Sequence, residues 1–328
     1  MNTFKAIIVK EKQNQVIYSL EDVSIDSLSD GEVLIKVAYS SINYKDMLAV
    51  QKNGGVIRNY PMIPGIDLSG TIVHTTDNRY TEGQKVIVTG FTMGMSHTGG
   101  FAEYARVPAD WIVPLPNNLT LKEAMVFGTA GFTAALSIMA LEKNGMDMNN
   151  NPSILVTGST GGVGSIALQI LSKIGYKNIF ALVRKEHQSE VAKSLGATDV
   201  IFANELGELK KPLNKQRFDY VLDTVGGEVA SVLIPQISYG GSMSMCGNAG
   251  GIQLTSTVLP FILRGINLLG IDSVNVPINK RGGIWGKIAN EWNISQTTLI
   301  SEISLEELPQ KIESIKNGQH LGRTIIKY

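Results

Sequence analysis

The first third of the chain alternates short apolar runs with clusters of Gly, Pro and Asn. Within the runs, β-branched residues or residues of alternating polarity recur at a period of two, as in half-buried strands. The turn residues between the runs predict where each strand ends. This pattern predicts six strands, at residues 4–10, 15–23, 32–38, 71–74, 85–89 and 101–108. Short strands at close spacing are typical of a compact, barrel-like β domain.

The periodicity changes at about residue 122, where apolar residues begin to recur at helical spacing. One helix is predicted over 122–142, and apolar strands then alternate with amphipathic helices, as in a parallel α/β sheet. The predicted strands lie at 154–156, 179–183, 200–202, 220–223, 242–246 and 268–271, enough for a complete doubly wound sheet. Beyond residue 274, helices over 283–292 and 305–317 and a strand over 324–327 are expected to return to the first domain.

The strongest local signal is a glycine-rich turn that joins the predicted strand 154–156 to a helix. The glycines allow the turn to close, the backbone to approach a pyrophosphate and the helix to pack near the strand. The N–H groups at the start of the helix favour an anion. We therefore predict that the turn binds the pyrophosphate of a nicotinamide dinucleotide; a purely structural turn is the alternative. Its predicted contact residues are Gly158, Ser159, Thr160, Gly161, Gly162, Val163 and Gly164.

Two cations follow the next predicted strand, at the position that selects between NAD and NADP. A site for NAD places Asp or Glu there to bind the ribose 2′-hydroxyl, whereas this chain has Arg184 and Lys185. A guanidinium can hold a 2′-phosphate through charged, forked hydrogen bonds. We predict NADPH as the cofactor; the alternative is that Arg184 is an ordinary solvated arginine.

Composition narrows the class of protein further. The chain has 43% hydrophobic residues, 18% charged residues and equal numbers of acidic and basic residues. This balance predicts a globular protein with a small-molecule ligand and argues against nucleic acid or a membrane as partner. No secretion signal and no apolar window of membrane-spanning length are expected. The single cysteine, Cys246, excludes a disulfide within the chain and a cysteine-rich zinc site, so we expect a cytoplasmic location.

Beside the glycine-rich turn, four segments carry a family resemblance that extends over essentially the whole chain. They are SSINYKD at 40–46, PGIDLSG at 64–70, GTAGFTA at 128–134 and GIDSV at 270–274. With them the chain resembles the medium-chain dehydrogenases and reductases, and within these the quinone oxidoreductase-like branch that includes the acrylyl-CoA reductases. The resemblance implies an α/β fold in which a GroES-like β-barrel domain comprises 1–122 and 273–328, and a doubly wound Rossmann domain for NADP comprises 123–272.

The residues that bind zinc in part of this superfamily are not found here. Zinc-dependent members place Cys where this chain has Asn43, and a His-Glu pair where it has Ile66 and Asp67. Neither Asn nor Ile supplies a thiolate or an imidazole to a tetrahedral zinc ion. The histidines are scattered, at positions 74, 97, 187 and 320. We expect no metal and no zinc-alkoxide chemistry, and Asp67 is then expected to be a structural carboxylate in its own turn.

Without a metal, hydride transfer from nicotinamide requires an acceptor that is already electrophilic. Enones, unsaturated thioesters such as acryloyl-CoA, and quinones meet this requirement. The resemblance implies reduction of an activated C=C bond, in which hydride adds to the β-carbon and negative charge develops on the carbonyl oxygen, which needs a hydrogen-bond donor. Two alternatives stay open: an NADPH:quinone oxidoreductase, and an NADPH-binding regulatory protein without turnover.

The candidate catalytic residues are Tyr44 and Asn43. Tyr44, beside the expected nicotinamide pocket, can donate a hydrogen bond or a proton, and Asn43 can orient the nicotinamide or the substrate. A tyrosine that only packs is the alternative. The resemblance implies cofactor contacts from Thr129 and Thr133, which are otherwise ordinary residues of a helix start.

Further cofactor contacts are expected from residues that follow the ends of later strands, because ligands of open α/β sheets gather there. These residues are Gly226, Cys246, Gly247 and Asn248, and a further cation, Arg323, precedes the last strand. Cys246 is expected to be a small buried hydrophobe rather than a nucleophile. The apolar run 268–271 is a candidate edge strand that pairs across a two-fold axis, so a homodimer is expected.

Overall fold

The computed structural model describes residues 3–209, 211–294 and 299–328. Its strands are β1 (Thr3–Lys12), β2 (Gln15–Ser24), β3 (Val33–Ser41), β4 (Asp67–Thr75), β5 (Lys85–Thr89), β6 (Tyr104–Val107), β7 (Val113–Pro114), β8 (Ile154–Val156), β9 (Ile179–Val183), β10 (Asp199–Phe202), β11 (Phe218–Asp223), β12 (Ile237–Met245), β13 (Asn267–Gly270), β14 (Ile300–Ile303) and β15 (Arg323–Lys327). Its α-helices are α1 (Tyr44–Ala49), α2 (Leu121–Lys143), α3 (Gly162–Ile174), α4 (His187–Ser194), α5 (Gly227–Leu233), α6 (Leu259–Arg264), α7 (Ile278–Ala289) and α8 (Leu308–Lys316).

The chain divides into two compact units, each with its own sheet and its own core. The first unit comprises Met1–Thr129, Ser273–Asn290 and Thr298–Tyr328, and the second comprises Ala130–Asp272 and Glu291–Thr297. The domain boundaries expected from the sequence are 1–122 with 273–328 for one domain and 123–272 for the other. They differ from the boundaries of these two units and stay a prediction.

The first unit is built on a sheet in the order β14, β15, β3, β4, β5, β7, with β6 also paired to β3. β3 is half-buried: Val33, Ile35 and Val37 alternate into a core that also contains Leu68 and Val88. This period of two explains why the segment forms a strand with one face on the core. β15 pairs antiparallel with β3, so the carboxyl-terminal strand returns to this unit as predicted.

The second unit contains a parallel sheet of six strands in the order β10, β9, β8, β11, β12, β13. The connections run in opposite directions on the two sides of β8, which makes the carboxyl end of β8 a topological switch point where ligands bind. All three residues of β8 are buried, as in a strand covered on both faces. The predicted fold class, a β domain combined with a doubly wound parallel sheet, is confirmed.

Helix α3 explains why the strand, turn and helix around residue 160 could be predicted locally. Ile166, Ala167, Ile170 and Leu171 are buried and form one apolar stripe that packs on the sheet. The helix ends at Gly175 in the left-handed conformation, a common helix stop that satisfies the last carbonyl groups.

Some elements differ from the predicted ones because their stability comes from distant partners. The sequence pattern does not predict α1, whose six residues are too few to establish a helical repeat. It does not predict β14 either, a strand that exists through its parallel pairing with β15. The helix predicted over 283–292 begins at Ile278 and ends at Ala289.

One helix contradicts the expectation that no apolar window reaches membrane-spanning length. α2 has 23 residues and a mean hydropathy of 1.8 in its most apolar window, but 83% of that window is buried inside the protein. Its helical backbone is broken at Gly128, where φ is +51° and ψ is −154°. A helix that is packed on all sides is apolar on all sides, so burial in the core accounts for this composition.

Candidate functional site

The glycine-rich turn leaves β8 through Gly158, which has a left-handed backbone with φ of +55°. A Cβ atom at Gly158 would collide with the hydroxyl of Thr224, and one at Gly164 would collide with the carbonyl of Gly158. Both positions therefore require glycine, one for its conformation and both for close approach. Because neither position carries a side chain, the turn is tight and α3 begins close to the end of β8.

Helix α3 begins at Gly162 and has Gly161 as its N-cap, so no side chain covers its first N–H groups. The first N–H groups of a helix lack partners within the helix and carry the positive end of its dipole. With Gly162, Val163 and Gly164 half-exposed or buried at this end, the backbone forms a cradle for an anion. The predicted pyrophosphate contacts at 161–164 thus belong to one helix start.

Two hydroxyl residues inside the turn have protein partners of their own. The Ser159 hydroxyl is buried and donates to the carbonyl of Leu182 at 2.8 Å, which ties the turn to β9. The Thr160 hydroxyl accepts a hydrogen bond from the Gln188 amide at 3.2 Å. The sequence pattern predicts both residues as cofactor contacts. Because their hydroxyls are bonded within the protein, their backbone N–H groups are the donors left to contact the cofactor.

Arg184 and Lys185 directly follow β9, and both side chains are exposed. Their backbone N–H groups donate to the side-chain oxygen of Gln188, at 2.9 Å and 3.1 Å. Within the described part of the chain neither charged group forms an ion pair with a carboxylate. Two exposed cations therefore lie at the end of the strand next to β8, followed directly by the exposed Glu186.

Asp223, at the end of β11, organises the turn that follows it. It is fully buried, accepts from the Thr157 hydroxyl at 2.7 Å, and accepts from the backbone N–H groups of Val225 and Gly226 at 3.2 Å and 2.9 Å. Burial raises the pKa of this carboxyl, and the three hydrogen bonds oppose the rise. Asp223 is not among the predicted site residues, although a carboxylate at the end of a switch-point strand is a usable signal.

The other predicted contacts of the second unit lie around this turn. Gly226 packs against Gly247, because a Cβ atom on Gly226 would meet the Gly247 carbonyl at 2.7 Å. Asn248 is exposed on the same side of the sheet, directly after Gly247. The Cys246 thiol donates to the Asp223 carbonyl at 3.3 Å, and burial raises the pKa of the thiol to about 12. A thiol with that pKa is protonated at neutral pH, so Cys246 is not an activated nucleophile.

The first unit places the predicted catalytic residues at the start of α1. Asn43 is the N-cap of this helix, and its backbone N–H donates to the Asp46 carboxylate at 2.8 Å. The other oxygen of Asp46 accepts from the backbone N–H of Ile66 at 3.1 Å. Burial, and to a lesser extent the charge of Asp67, raise the pKa of Asp46 to about 7. Asp46 thus fixes α1 against the segment that precedes β4.

Asp67 is the centre of a buried polar network. Its carboxylate accepts from the N–H and hydroxyl of Ser41, from the Asn43 side-chain amide at 2.8 Å and from the Thr129 N–H at 2.8 Å. The expectation that Asp67 is a structural carboxylate is consistent with these contacts, but they reach well beyond its own turn. They connect β3, the start of α1 and the residue that follows the break at Gly128.

Arg323 completes this network from the start of β15. It is 2% exposed, and its guanidinium donates to the carbonyls of Val126 and Ile42 at 3.0 Å and 3.2 Å and to the Ser41 hydroxyl at 2.6 Å. A fourth contact, at 3.4 Å, reaches the side-chain oxygen of Asn43. Burial lowers the pKa of the guanidinium, while the nearby carboxylates of Asp67 and Asp46 oppose this.

These contacts change how two predicted site residues are interpreted. The Arg323 guanidinium is occupied by protein oxygens, and the contact with the cofactor expected of this residue stays a prediction. The Asn43 amide donates to Asp67 and to the Ser41 carbonyl at 3.2 Å, so its donors are also engaged. Both residues hold the start of α1 in place. Tyr44, by contrast, is 42% exposed, and its hydroxyl forms no hydrogen bond with the described residues.

Thr129 and Thr133 lie in α2, just beyond its break, and both are buried. The Thr129 N–H donates to Asp67, as described above, and the Thr133 carbonyl accepts from the Ser137 hydroxyl at 2.9 Å. Their predicted contacts with the cofactor stay a prediction. Across 3–209, 211–294 and 299–328, no group of three or more His, Cys, Asp or Glu side chains is arranged to hold a metal ion.

The chain has extensive similarity to known proteins. Residues 29–117 match the family model for the alcohol dehydrogenase GroES-like domain, and residues 162–282 match the family model for zinc-binding dehydrogenase. "Putative quinone oxidoreductase YhfP" of Bacillus subtilis is 45% identical over 99% of this chain and 98% of its own. "Probable acrylyl-CoA reductase AcuI" of Escherichia coli is 43% identical over 98% of this chain and 99% of its own.

Solved structures of such proteins have the same fold. The crystal structure of Escherichia coli YhdH with bound NADPH superposes with a TM-score of 0.95, at 43% identity, over 98% of this chain and 99% of that one. The structure of Bacillus subtilis YhfP with NAD bound superposes with a TM-score of 0.96, at 44% identity, over the full length of both chains. Both nicotinamide dinucleotides thus occur in structures of this fold.

Proposed function

Because the chain belongs to the medium-chain dehydrogenase/reductase superfamily, in the quinone oxidoreductase-like group that includes the acrylyl-CoA reductases, we propose that it is an NADPH-dependent reductase of an activated C=C bond. Its substrate is an α,β-unsaturated carbonyl compound or acyl-CoA. One observation carries the proposal: a glycine-rich phosphate turn is followed by Arg184 and Lys185, in a chain 43% identical to a probable acrylyl-CoA reductase over nearly its whole length.

The residues of the second unit fit a phosphorylated dinucleotide. The turn at 158–164 excludes side chains where a pyrophosphate approaches, and the uncovered start of α3 supplies N–H donors to it. Arg184 and Lys185 supply positive charge for the 2′-phosphate, and neither forms an ion pair with a carboxylate of the described residues. Gly226, Gly247 and Asn248 stand at the ends of β11 and β12, where the nicotinamide end of the cofactor is expected. Bound NADPH supplies the hydride.

The first unit supplies the group that stabilises the developing negative charge on the substrate. Tyr44 is exposed and its hydroxyl is free to donate to the carbonyl oxygen as hydride adds to the β-carbon. The α-carbon of the resulting enolate then takes a proton, from Tyr44 or from solvent. Asn43 and Asp46 fix the first turn of α1 and so orient the tyrosine.

A quinone reductase is the second candidate, favoured by the 45% identity to a putative quinone oxidoreductase. A quinone accepts hydride without a metal and spreads the charge over its ring, so it depends less on one placed donor. The two activities would share the cofactor site and differ in the width of the substrate site.

The experiment follows NADPH absorbance while the purified protein is offered acryloyl-CoA, a simple enone and a quinone. For an acyl-CoA reductase, we expect kcat/KM for the thioester to be at least about tenfold above kcat/KM for the quinone. A larger kcat/KM for the quinone overturns the proposal in favour of the second candidate. No turnover with any of the three, while NADPH still binds, favours a regulatory NADPH-binding protein.

The second unit also has features of an oligomer interface, and we propose that the protein is a homodimer. β13 is the edge strand of the parallel sheet, and an edge strand offers unpaired backbone groups. Large apolar side chains are exposed on α6 and on the segment before it: Ile252, Val258, Ile262 and Leu263 are 80%, 67%, 69% and 56% exposed. An apolar surface of this kind next to an edge strand fits a second copy of the chain across a two-fold axis.

Light scattering across a range of concentrations tests the dimer. Wild type should have twice the mass of one chain, and Ile262→Glu should shift the equilibrium toward the monomer. Ile17→Glu is the matched control, because Ile17 is also exposed but lies on β2 in the first unit. A single-chain mass for wild type removes the proposal.

The absence of any cysteine beyond Cys246 supports a proposed location in the cytoplasm, where thiols stay reduced.

A further inference from the structure

Gln188 is a buried side chain between the two segments assigned above to the cofactor's phosphates. It lies in the first turn of α4 and is 8% exposed, whereas the neighbouring Arg184, Lys185 and His187 are exposed. Its side-chain oxygen accepts from the backbone N–H groups of both Arg184 and Lys185, at 2.9 Å and 3.1 Å. One amide oxygen therefore fixes two consecutive peptide groups at the end of β9.

The other end of the same amide reaches the glycine-rich turn. Its nitrogen donates to the Thr160 hydroxyl at 3.2 Å, across 28 positions of sequence. Thr160 is itself buried, one residue before the N-cap of α3. The Gln188 side chain thus connects the segment that carries the two cations to the segment that carries the helix N-terminus.

Local helix capping does not account for this arrangement. A side chain that caps its own helix bonds to backbone N–H groups close to it in sequence, and the oxygen of Gln188 already accepts two such bonds, from Arg184 and Lys185. The bond to Thr160 adds a second, distant partner and sets the spacing between the two segments. In a dinucleotide with a 2′-phosphate, this phosphate and the pyrophosphate are attached to the same ribose, which limits the distance between them. A fixed spacing between the two binding segments favours such a ligand.

The chemistry of the amide also matters. Glutamine accepts the two N–H bonds without bringing a negative charge next to Arg184 and Lys185. A glutamate would accept the same bonds, lose the donor to Thr160 and repel a 2′-phosphate. An amide therefore fixes the loop without adding a second carboxylate to that of Glu186.

We propose that Gln188 is a positioning residue for cofactor selectivity: by joining the Arg184–Lys185 backbone to Thr160, it presents the two cations to the 2′-phosphate of NADPH. This inference rests on the proposed function for its cofactor, and it adds a residue that does not itself touch the phosphate. Its signature is a loss of discrimination between phosphorylated and unphosphorylated nucleotides rather than a general loss of binding.

Calorimetric binding of two fragments tests this without turnover. Adenosine 2′,5′-bisphosphate carries the 2′-phosphate, and adenosine 5′-monophosphate does not. Gln188→Met keeps the length of the side chain and removes its hydrogen bonds, so it should weaken the bisphosphate roughly 3- to 10-fold and the monophosphate less than about twofold. Gln188→Glu should weaken the bisphosphate more than Gln188→Met does, and added salt should reduce the difference.

Two further variants keep the result interpretable. Gln169→Met is the control, because Gln169 is a half-buried glutamine of α3 whose amide, among the described residues, bonds only to the Ser165 carbonyl within its own helix. Its affinity for both fragments should match that of wild type. Thr160→Val removes the distant partner alone and should reproduce part of the Gln188→Met loss; it replaces Gln188→Met as the test if that variant does not fold.

The outcomes separate the inference from the proposed function. Equal losses for both fragments in Gln188→Met, or no loss for either, overturn the inference, since the residue then supports the fold or does nothing. If wild type itself binds both fragments equally, the NADPH assignment and the inference both fail. If the selectivity shift is found but no acceptor is reduced, the inference stands and the proposed reductase activity fails.

Discussion

The hydroxyl of Thr157 donates to the carboxylate of Asp223 at 2.7 Å, and it accepts from the backbone N–H of Thr224 at 2.9 Å. These bonds join the end of β8 to the end of β11, the two strands that flank the switch point of the parallel sheet. The Thr157 hydroxyl thus satisfies the backbone N–H of Thr224 and adds a third donor to the buried carboxylate of Asp223, beside the N–H groups of Val225 and Gly226. The glycine-rich turn and the turn at Gly226 are therefore held together beneath the proposed nucleotide site.

Thr157→Val removes this hydroxyl and keeps the shape of the side chain. Because it leaves the backbone N–H of Thr224 without its acceptor and removes one of the three donors to the buried Asp223 carboxylate, the free energy of unfolding should fall by about 1–3 kcal/mol. Chemical denaturation measures the loss. Thr157→Ser retains the hydroxyl and should recover most of the stability; a loss in Thr157→Ser with none in Thr157→Val would show that the methyl group, not the hydrogen bond, matters.

Arg184→Ala should separate the two nicotinamide cofactors. The guanidinium can make a charged contact only with the 2′-phosphate, so KM for NADPH should rise roughly 10- to 150-fold while KM for NADH changes little. Steady-state kinetics with each cofactor measure the effect. An equal rise for both cofactors would show that Arg184 supports the loop and does not bind the phosphate.

Tyr44→Phe tests the proposed donor to the substrate oxygen. The change removes one exposed hydroxyl and leaves the ring, so NADPH binding should be unchanged while hydride transfer to an unsaturated thioester slows about 100- to 1,000-fold. With a quinone the same variant should stay close to wild type. Single-turnover oxidation of bound NADPH is the measurement.

A difference of less than about threefold in that single-turnover rate would remove Tyr44 from the catalytic residues. The cofactor assignment would be unaffected, because it rests on the residues of the second unit. The natural control is the binding affinity for NADPH, which should be equal in the two proteins.

The raised pKa of Asp46 predicts a pH dependence of stability. Burial and the neighbouring Asp67 raise this pKa from 3.8 to about 7, so the folded protein binds the proton more tightly than the unfolded chain does. The stability contributed by this proton is fully present below the unfolded pKa and is lost as pH rises through about 7. Between about pH 5 and pH 8, the free energy of unfolding should therefore decrease more steeply in wild type than in Asp46→Asn. Parallel pH profiles would contradict this.

Removal of metal should leave the enzyme active. Asn43 and Ile66 are not zinc ligands, and Asp67 is already engaged by the surrounding donors. After exhaustive dialysis against a chelator, turnover with NADPH should equal that of untreated protein. Stoichiometric zinc in the active protein, found by elemental analysis, would refute this.

The parts of the fold that could be predicted are those in which sequence neighbours are also structural neighbours. β8, the turn from Gly158 and α3 are contiguous, and their apolar periods and glycines carry the signal. Arg184 follows β9 directly, so its place at the end of a strand could also be read locally. The six strands of the parallel sheet were predicted for the same reason.

The network around Asp67 could not be predicted in this way, because its members are brought together from distant positions. Arg323 reaches Ser41 across 282 positions, and its sequence context is that of an ordinary surface cation. Arg281 is a second buried arginine that the sequence does not reveal: it is fully buried and donates to the carbonyls of Thr89 and Val274. An arginine whose guanidinium meets backbone carbonyls gives no local pattern, since a carbonyl is present at every position.

The Asp67 network also determines what an introduced zinc site would require. Placing Cys at Asn43 and His at Ile66 would give two zinc ligands, but the hydroxyl of Ser41 would still lie between Asp67 and the cationic Arg323, bonded to both. A divalent cation would then meet a fixed positive charge and a carboxylate already in use. Each of these substitutions removes a hydrogen bond or a packed side chain before any metal can bind. A zinc site at this position would therefore require several simultaneous substitutions, Arg323 among them.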